Sequence, residues 1–244
     1  MKKRLDLLLV ERRLTDSRSR AQALIMEGKV RVAGQVETKA SRSLDEDAEI
    51  EVEAPPRFVS RGGEKLEGAF RLWGDTLSAE NKVCIDVGSS TGGFTDCLLQ
   101  HGAEYVMAVD VGTNQLAYKL RTDPRVWVRE NYNARFMQLA DLPRQPLLAV
   151  TDVSFISLRL ILPPIASVLE KGGEIVALIK PQFEVGKGNA PGGLVRDERL
   201  RLEARDQIVQ FATAELKLEL LGLAESPIRG REMGNIEYLS YWRK

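Results

Sequence analysis

Apolar and polar residues alternate in blocks from residue 82 onwards, and these blocks predict strands and helices in turn. Five apolar runs are typical of buried strands: VCIDVG, YVMAVDVG, VWVREN, LLAVTDVSF and EIVALIKP. Helical segments separate them, and a longer amphipathic helix is predicted at about residues 195 to 214. Two more strands, KLELLGLAES and IEYLSYW, follow it on either side of the turn-like PIRGREMGN. This order predicts an α/β fold with a seven-stranded, mostly parallel, doubly wound sheet and an antiparallel partner at one edge.

The N-terminal stretch has the pattern of a small α+β unit instead. Two short helices are predicted, with apolar faces formed by Leu5, Leu8 and Leu9 and by Ala21, Leu24 and Ile25. VRVAGQVE predicts a hairpin that turns at Ala33 and Gly34, and AEIEVE alternates like a further strand. The stretch APPRFVSRG and the glycine after it predict a linker. We therefore predict one domain at residues 1–55, a linker at residues 56–63 and a second domain at residues 64–244.

Charge is balanced over the whole chain but not along it. The 35 Lys and Arg residues equal the 35 Asp and Glu residues, so a global attraction to nucleic acid is excluded. Residues 1–42 nevertheless hold eleven basic and five acidic side chains. Basic residues on two short helices and the next turn are typical of a phosphate-binding face, although charge alone favours an ordinary solvated surface. The candidate RNA-binding residues are Arg4, Arg12, Arg18, Arg20, Lys29 and Arg31.

Cysteine and histidine are scarce, which narrows the chemistry. Cys84 and Cys97 both fall in apolar patterns, which favours a reducing compartment and excludes a disulfide framework. His101 is the single histidine, so a histidine-based zinc site or a Ser-His-Asp triad is not expected, and we predict no metal. The N-terminal apolar run is interrupted by acids and is too short for a signal peptide, and no run of 18 apolar residues exists. We expect a cytoplasmic protein without a membrane partner.

Residues 84–96, CIDVGSSTGGFTD, join the first strand of the second domain to a helix through a glycine-rich loop. The spacing matches neither a P-loop nor the G-x-G-x-x-G dinucleotide fingerprint. An acid at the strand end suits a nucleoside that carries a positive amino group, and S-adenosylmethionine has these properties. An ordinary strand-to-helix turn is the alternative. The candidate donor-binding residues here are Asp86, Gly88, Ser89, Ser90, Thr91, Gly92, Gly93 and Phe94.

Later strands end in polar residues that belong at the same edge of the sheet, where open α/β sheets bind ligands. Asp110 lies 24 residues after Asp86 and is placed to accept hydrogen bonds from ribose hydroxyls, with Val111 beside it. The third strand ends near Asn131 and Asn133, which are candidates for the adenine edge. The fourth and fifth strands end in Asp152 and Lys180, which should meet over the donor's methyl group. A structural salt bridge is the alternative for this pair.

Two resemblances add roles to these residues. RLDLLLVERRLTDSRSRAQALIMEGKVRVAGQVE resembles the S4 RNA-binding domain in its R-L-D start, its S-R-x-x-A helix and its G-x-V-x-V-x-G hairpin. R-G-G-x-K-L, D-V-G-x-S-T-G-G-F, D-V-S-F-I-S-L, I-K-P-Q-F-E and G-N-x-E-Y resemble the TlyA-type family. Members are often labelled haemolysins, and they join an S4 domain to an FtsJ-like RNA 2′-O-methyltransferase domain. The resemblance implies a class I, Rossmann-like S-adenosylmethionine-dependent methyltransferase fold.

The same resemblance implies a Lys-Asp-Lys-Glu catalytic tetrad at Lys65, Asp152, Lys180 and Glu237, with Glu232 as a nearby alternative for the last place. It also implies S-adenosylmethionine as methyl donor and a cytidine ribose of ribosomal RNA as acceptor, in 16S and in some members 23S rRNA. Ribosomal RNA or ribosomal subunits are the expected partners. We hypothesise that Lys180 is the base and that Lys65 orients the ribose.

Three questions stay open at the level of sequence. The chain could be a non-catalytic RNA-binding protein with a degenerate methyltransferase domain, or a haemolysin, although an intact loop and tetrad oppose the former. Methylation of an adenine amino group or of pyrimidine C5 fits less well, because the N-P-P-Y type of motif and an exposed cysteine nucleophile are both missing. The loop GKGNAPGG at residues 186–193 is either a flap that closes over RNA or a surface loop.

Overall fold

The computed structural model describes residues 2–54, 56–186, 188–230 and 234–244, and the chain divides into two compact units, Met1–Arg57 and Phe58–Lys244. The division falls inside the stretch predicted as a linker at residues 56–63. Phe58 is only 3% exposed and belongs to the core of the second unit. The first helix of that unit begins at Gly62, two residues before the predicted domain start. Residues 58–63 therefore pack as part of the second unit.

The first unit is a small α+β fold. Its helices are α1 (Leu5–Glu11) and α2 (Arg18–Met26). Its strands are β1 (Lys2–Arg4), β2 (Val30–Val32), β3 (Gln35–Val36), β4 (Ser43–Asp45) and β5 (Ile50–Val52). β1 pairs with β4, and a second antiparallel sheet has the order β3-β2-β5. The predicted hairpin is present, and its turn residues Ala33 and Gly34 have φ of 49° and 76°, which suits a two-residue turn between twisted strands.

Both predicted helix faces of this unit form its core. Leu5, Leu8 and Leu9 are at most 2% exposed, and they pack with the apolar face of α2 and with Val30 of β2. Ser17 caps α2 by accepting a hydrogen bond from the backbone N–H of Arg20 at 3.3 Å. The unit thus has a core of its own, built from the periodic apolar positions of its two helices and its strands.

The second unit is a seven-stranded sheet covered by helices on both faces. Its strands are β6 (Val83–Val87), β7 (Tyr105–Val109), β8 (Val126–Arg129), β9 (Leu148–Thr151), β10 (Glu174–Ile179), β11 (Glu219–Glu225) and β12 (Tyr238–Arg243). Its α-helices are α3 (Gly62–Trp73), α4 (Gly93–Gln100), α5 (Tyr118–Arg121), α6 (Leu162–Val168), α7 (Pro181–Glu184) and α8 (Glu198–Ala214). Short 3-10 helices span Ala134–Phe136, Leu139–Asp141, Leu158–Leu160 and Pro191–Gly193. The strand order is β11-β12-β10-β9-β6-β7-β8.

The sheet has the predicted number of strands, but its antiparallel strand lies one place in from the edge. β12 runs antiparallel to both β10 and β11, and β11 forms the edge. The burial of the two strands gives the reason. β12 is buried along nearly its whole length, whereas β11 is partly exposed and contains an irregularity between Leu220 and Gly222. The more deeply buried strand takes the position between two neighbouring strands.

The strand order reverses between β6 and β9, since β7 and β8 follow on one side and β10 on the other. A reversal of this kind opens a crevice at the carboxyl ends of the strands, where such sheets bind ligands. Two hydrophobic clusters, one on each face, hold the helices against the sheet. Within the described ranges, no helix has the length and apolar character needed to cross a membrane.

Candidate active site

The glycine-rich loop between β6 and α4 contains backbone conformations that side chains resist. Gly88 has φ of 83° and Gly92 has φ of 97°, so both positions favour glycine. A Cβ on Gly92 would lie 2.3 Å from Leu120 Cδ1, and a Cβ on Gly93 would lie 2.3 Å from Ser60 Oγ. Both glycines are candidate donor-binding residues, and packing of the protein itself favours glycine at both positions independently of a ligand.

Asp86 lies beneath this loop rather than at its surface. It is 0% exposed, and its Oδ2 accepts a hydrogen bond from Thr95 Oγ1 at 2.7 Å. Its Oδ1 is buried and has no hydrogen-bond partner among the described residues. Burial raises the pKa of the carboxyl to about 7, and the nearby charges of Asp152 and Asp110 act in the same direction. Asp86 Oδ1 is therefore a buried hydrogen-bond acceptor for which no described residue supplies a donor.

The remaining loop residues differ in what they offer to a ligand. Ser89 is 7% exposed, whereas Ser90 and Thr91 are exposed. The backbone N–H of Ser90 donates to Asp110 Oδ2 at 2.8 Å, which fixes the loop to the end of β7. Phe94 is 3% exposed and packs in the core, because α4 turns its side chain towards the sheet. The exposed part of the loop is thus formed by residues 90 and 91.

The ends of β7 and β8 carry the other predicted donor contacts. Asp110 accepts from the N–H groups of Ser90 and Gly112, the latter at 2.6 Å, and Val111 beside it is 74% exposed. Asn131 accepts a hydrogen bond from Thr113 Oγ1 at 2.6 Å. Asn133 caps the 3-10 helix Ala134–Phe136 through the N–H of Arg135. Asn131 and Asn133 therefore hold the loop after β8, and both side chains are exposed.

Four charged side chains converge where the strand order reverses. Asp152 follows β9 directly, Lys180 follows β10 directly, and Glu237 directly precedes β12. β12 runs antiparallel to β10, so its beginning lies beside the end of β10. Lys65 comes from the first turn of α3. The structure thus brings together all four residues of the predicted tetrad, although they come from four separate elements.

The four side chains form a series of contacts in which negative and positive charges alternate. The order is Glu237, Lys65, Asp152 and Lys180. Lys65 Nζ lies 2.8 Å from Glu237 Oε2 and 3.2 Å from Asp152 Oδ2. Lys180 Nζ lies 2.6 Å from Asp152 Oδ1. That contact is an ion pair without hydrogen-bond alignment, since Lys180 Nζ directs its hydrogen bonds to Ser154 Oγ at 2.8 Å and to the Asp152 carbonyl at 3.5 Å. Lys65, Lys180 and Glu237 are 3–8% exposed, so the pairing takes place largely out of water.

Sequence reasoning missed three residues that complete this cluster. Ser154 accepts from Lys180, and Gln182 Nε2 lies 3.5 Å from Glu237 Oε1. Glu184 accepts from Ser157 Oγ at 2.5 Å and from the Leu158 N–H at 2.9 Å, which ties α7 to the loop after β9. Burial raises the pKa of Glu184. All three stand within four residues of Asp152 or Lys180, which marks them as neighbours of the site but does not predict the contacts that they make.

Two predicted features fall wholly or partly outside the described ranges. Glu232, the alternative for the last tetrad position, lies in the undescribed stretch 231–233. In the loop at residues 186–193, Asn189 Nδ2 donates to the Val185 carbonyl at 2.7 Å. The buried Asn235 donates to the Gly193 carbonyl at 2.7 Å and accepts from the Val195 N–H at 3.0 Å. The C-terminal end of this loop, at Gly193, is therefore held by Asn235, which lies two residues before Glu237 in the chain.

The candidate RNA-binding residues of the first unit fall into two groups. Arg4 and Arg18 both donate to Asp6, at 3.0 Å and 2.9 Å, and Gln22 donates to it at 2.8 Å. Asp6 is 0% exposed, and these donors, Arg4 above all, hold its pKa well below the usual range. Both guanidinium groups remain about half-exposed beside it. Arg4 and Arg18 thus form a pair of half-exposed cations that both donate to the buried Asp6 carboxylate.

The other basic residues serve the fold of the unit to different degrees. Arg12 donates to the carbonyls of Glu46 and Ala48, which ties α1 to the loop before β5. Lys29 pairs with Glu53 at 2.8 Å, and Arg31 donates to the Gly34 carbonyl at 3.1 Å. Arg20 is exposed on α2. Of the six candidates, Arg12 is the one whose guanidinium is most clearly occupied by backbone carbonyls.

Comparison with known proteins agrees with this architecture. The sequence model of the FtsJ-like methyltransferase family matches residues 58–244, and that of the S4 domain matches residues 3–50. The chain is 46% identical over 241 residues to YqxC of Bacillus subtilis (strain 168), named as a candidate rRNA methyltransferase, a match that covers 98% of this chain and 84% of YqxC. It is 41% identical over 243 residues to the 16S/23S rRNA (cytidine-2′-O)-methyltransferase TlyA of Mycobacterium tuberculosis, covering 98% and 89%.

Solved structures extend the likeness to three dimensions. A candidate hemolysin from Streptococcus thermophilus is 42% identical, with a TM-score of 0.76 over 100% of this chain and 88% of that chain. S-adenosylmethionine-dependent methyltransferases of only 15% identity share the fold of the second unit. The seven-stranded sheet, the matched residues 58–244 and the N-terminal S4 domain lead to one conclusion. The chain is a member of the FtsJ-like methyltransferase family that carries an S4 domain before its methyltransferase domain.

Proposed function

We propose that this enzyme is an S-adenosylmethionine-dependent 2′-O-methyltransferase that modifies a cytidine ribose of 16S ribosomal RNA, with 23S ribosomal RNA as a second substrate. The observation that carries the proposal is the buried Lys65–Asp152–Lys180–Glu237 cluster at the reversal of strand order. TlyA of Mycobacterium tuberculosis, which is named for this reaction, is the relative from which the nucleotide and the RNA are inferred. Ribosomal subunits in the cytoplasm are the proposed partners.

The residues at the carboxyl ends of β6 and β7 fit the proposed methyl donor. Asp86 Oδ1 is a buried acceptor without a donor among the described residues, and a ligand with an ammonium group supplies one. Asp110 and the exposed Ser90 and Thr91 would hold the ribose and the methionine part. When bound, S-adenosylmethionine supplies an electrophilic methyl group. The protein's own residues must then position and activate the acceptor hydroxyl.

The two lysines have different surroundings, which assigns them different tasks. Within the described residues, Lys65 contacts two carboxylates, whereas Lys180 contacts one carboxylate and the Ser154 hydroxyl. Two carboxylates hold the Lys65 ammonium group in place, which suits a group that orients the ribose. Lys180 has one carboxylate contact, which suits the group that takes the proton of the 2′-hydroxyl and passes it to solvent. We therefore assign the base to Lys180 and the orienting role to Lys65, with Asp152 and Glu237 holding both in place.

The S4 unit is proposed to anchor the RNA through Arg4, Arg18 and Arg20. Their guanidinium groups are exposed on one small domain, and guanidinium groups bind phosphates in a bidentate manner. Phosphate contacts position an RNA without reading its sequence. We therefore expect the S4 unit to supply affinity and the methyltransferase unit to select the nucleotide.

The test is transfer of a tritiated methyl group to separated ribosomal subunits by the wild type, Lys180→Ala and Lys171→Ala. Lys171 lies just before β10 and Lys180 just after it, so the control removes a lysine from the opposite end of the same strand. We expect Lys180→Ala to lose at least about 100-fold in rate, the usual contribution of a general base, with donor binding retained. Lys171→Ala should keep the wild-type rate.

The position of the label separates the outcomes. A 2′-O-methyl group makes one RNA linkage resistant to alkali, so label recovered in a resistant dinucleotide supports ribose methylation. Full activity of Lys180→Ala would remove the assignment of the base while leaving the methyltransferase in place. Bound donor without transfer to either subunit would contradict the proposed substrate and favour a non-catalytic RNA-binding role.

A further inference from the structure

Three residues with metal-binding side chains meet on the helical face of the second unit, in a place that the proposed reaction does not use. Glu67 lies on α3, and Cys97 and His101 lie on or just after α4, one helical turn apart. Their ligand atoms all lie within 4.8 Å of one another. The sequence separates Glu67 from the other two by 30 residues or more, so the packing of α3 on α4 alone creates the group.

The distances between donor atoms are close to those around a tetrahedral ion. His101 Nε2 lies 2.8 Å from Glu67 Oε2, and Cys97 Sγ lies 4.0 Å from the same oxygen. With metal bonds of about 2.0 Å to nitrogen and oxygen and about 2.3 Å to sulfur, donor atoms around zinc lie roughly 3.3–3.6 Å apart. The distance from His101 Nε2 to Glu67 Oε2 is shorter than this range, and the distance from Cys97 Sγ to Glu67 Oε2 is longer. Changes of about 0.5 Å in each of these two distances would bring both into that range.

The surroundings fix two of the three ligands. The His101 ring stacks on Phe70 with centroids 4.0 Å apart and planes 14° apart, which limits its rotation. Cys97 is 0% exposed, so its thiol is shielded from solvent and from other thiols. The His101 and Glu67 side chains are 28% and 14% exposed, which leaves a path from solvent. A surface cavity of about 240 Å³ next to His101 gives an outside ligand access to the imidazole side of the group.

In contrast to the expectation from sequence that no metal is bound, we propose that Glu67, Cys97 and His101 bind one divalent transition-metal ion of the zinc class, outside the catalytic cluster. A thiolate, an imidazole and a carboxylate together suit Zn²⁺ and exclude the oxygen-preferring Mg²⁺ and Ca²⁺. Three protein ligands leave one position for water. Binding forms the metal–sulfur bond and releases the Cys97 thiol proton to solvent, so affinity rises with pH.

The ion would join the two helices that carry the proposed active-site elements. Glu67 stands two residues after Lys65 on α3, and Cys97 stands four residues after Gly93, where the glycine loop enters α4. A metal bridge between the helices would fix their spacing and stabilise the folded state by mass action. The proposal does not depend on the identity of the methyl acceptor.

The test uses the full chain without a histidine tag, titrated with Co²⁺ and then with Zn²⁺. A thiolate ligand gives Co²⁺ a charge-transfer band in the near ultraviolet, and three or four ligands in tetrahedral array give strong visible bands. His101 is the single histidine, so long-range proton–nitrogen NMR reads the state of its Nε2 without overlap. Cys97→Ser is compared with Cys84→Ser, because both cysteines are fully buried and only Cys97 belongs to the group.

We expect one equivalent of Co²⁺, displaced by Zn²⁺, with a thiolate band and a shifted Nε2 resonance. Cys97→Ser and His101→Gln should weaken binding at least about 100-fold, since loss of even an outer partner of a ligand costs 10–100-fold. Cys84→Ser should bind like the wild type. If Cys97→Ser does not fold, the partly exposed His101→Gln decides the matter. Absence of a thiolate band, or binding unchanged in His101→Gln, would overturn the proposal and leave Glu67 and His101 as a hydrogen-bonded pair between two packed helices.

Discussion

At the scale of single residues, Asp152 is the centre of the proposed catalytic cluster. It contacts both lysines, whereas Glu237 forms an ion pair with Lys65 and with no other described residue. Loss of Asp152 would therefore leave the buried Lys180 ammonium group without a carboxylate partner among the described residues, and Lys65 with Glu237 alone. Removal of one partner from a buried ion pair costs about 3–5 kcal/mol, so the acids of the tetrad serve the fold as well as the reaction.

Asp86 gives a prediction about the pH dependence of stability. Its pKa is raised to about 7 by burial, against an ordinary value near 4. Between these two values the folded state holds one proton more than the unfolded state, so the free energy of unfolding falls as pH rises through this window. The contribution amounts to at most about 4 kcal/mol. It should be absent in Asp86→Asn.

Urea denaturation at intervals from about pH 5 to about pH 8 measures this difference. The wild type should lose more stability across the series than Asp86→Asn does. Parallel curves for the two proteins would show that Asp86 is ionised at every pH in the series and that folding does not raise its pKa.

Asp6 gives a prediction about RNA binding, because its replacement has two opposite effects: it removes a negative charge, and it releases the two arginines that the carboxylate holds. Asp6→Asn removes a negative charge from residues 1–42, where basic side chains outnumber acidic ones, and electrostatics alone therefore predicts tighter binding to RNA. Arg4 and Arg18, however, lose the buried carboxylate that holds them. We expect binding to ribosomal RNA to weaken about five- to tenfold, a loss of roughly 1 kcal/mol or slightly more in binding free energy.

The control is Asp16→Asn, which removes an exposed acid from the same domain. Filter binding at fixed salt should show unchanged or tighter binding for Asp16→Asn and weaker binding for Asp6→Asn. Equal, tighter binding by both variants would mean that Asp6 acts only as a charge. Thermal unfolding of Asp6→Asn shows whether the S4 fold itself is retained.

At the scale of elements, α3 positions Lys65 through the close packing of its first turn. A Cβ on Gly63 would lie 2.2 Å from Phe58 Cγ, whereas a Cβ on the adjacent Gly62 would meet nothing closer than 3.4 Å. Gly63→Ala must therefore displace either the buried Phe58 ring or the start of the helix. We expect it to lower methyl transfer at least about tenfold and stability by about 1–3 kcal/mol.

Gly62→Ala is the matched control in the same turn. Replacing glycine by alanine in a helix stabilises it by roughly 0.5–1 kcal/mol when space allows, so Gly62→Ala should be as stable as the wild type or more stable. Transfer rates and urea midpoints of the two variants test the pair. Similar behaviour of both alanines would show that the contact with Phe58 does not set the position of α3.

Sequence patterns predicted the elements well and the contacts between them poorly. The apolar runs from β6 to β10 were readable because parallel strands buried on both faces are nearly continuous in apolar residues. The place of β12 between β10 and β11 was not readable, because it depends on the relative burial of two late strands. Gly92 and Gly93 were recognised as special, but the reason lies in Leu120 and Ser60, which are distant in sequence.

The same distinction applies to the candidate site, where some contacts could be predicted from the sequence and others could not. Asp152 and Lys180 could be expected to meet because both follow parallel strands, whereas Lys65 and Glu237 were placed by family resemblance alone. The contact of Glu184 with Ser157 and Leu158 crosses from one strand end to the next, and a single sequence contains no signal for it. The buried position of Asp86 was likewise unreadable, since an acid at a strand end is as readily exposed as covered.

At the scale of the whole molecule, the chain consists of two compact units and divides its proposed tasks between them. The S4 unit has its own cluster of apolar residues, and the methyltransferase unit has two others. A fragment of residues 58–244 should therefore fold and bind S-adenosylmethionine as the full chain does. Its KM for ribosomal RNA should rise at least about tenfold, because the proposed phosphate contacts are lost.

Circular dichroism and donor binding by calorimetry establish whether the fragment is folded, and tritium transfer over a range of RNA concentrations gives the KM. The full chain assayed at the same salt concentration is the comparison. A folded fragment with an unchanged KM would assign RNA affinity to the methyltransferase unit and leave the S4 unit without the proposed role.

The hydrogen bond from Lys65 to Glu237 joins residues 172 positions apart, and it has a consequence for biosynthesis. Protein chains emerge from the ribosome from the N-terminus, and domains fold as they are completed. A nascent chain interrupted before Glu237 and β12 would carry Lys65, Asp152 and Lys180 without one of the two acids that contact Lys65, and β10 would have an open edge. An enzyme proposed to modify ribosomes would thus acquire its activity only after Glu237 and β12 have left the ribosome that makes them.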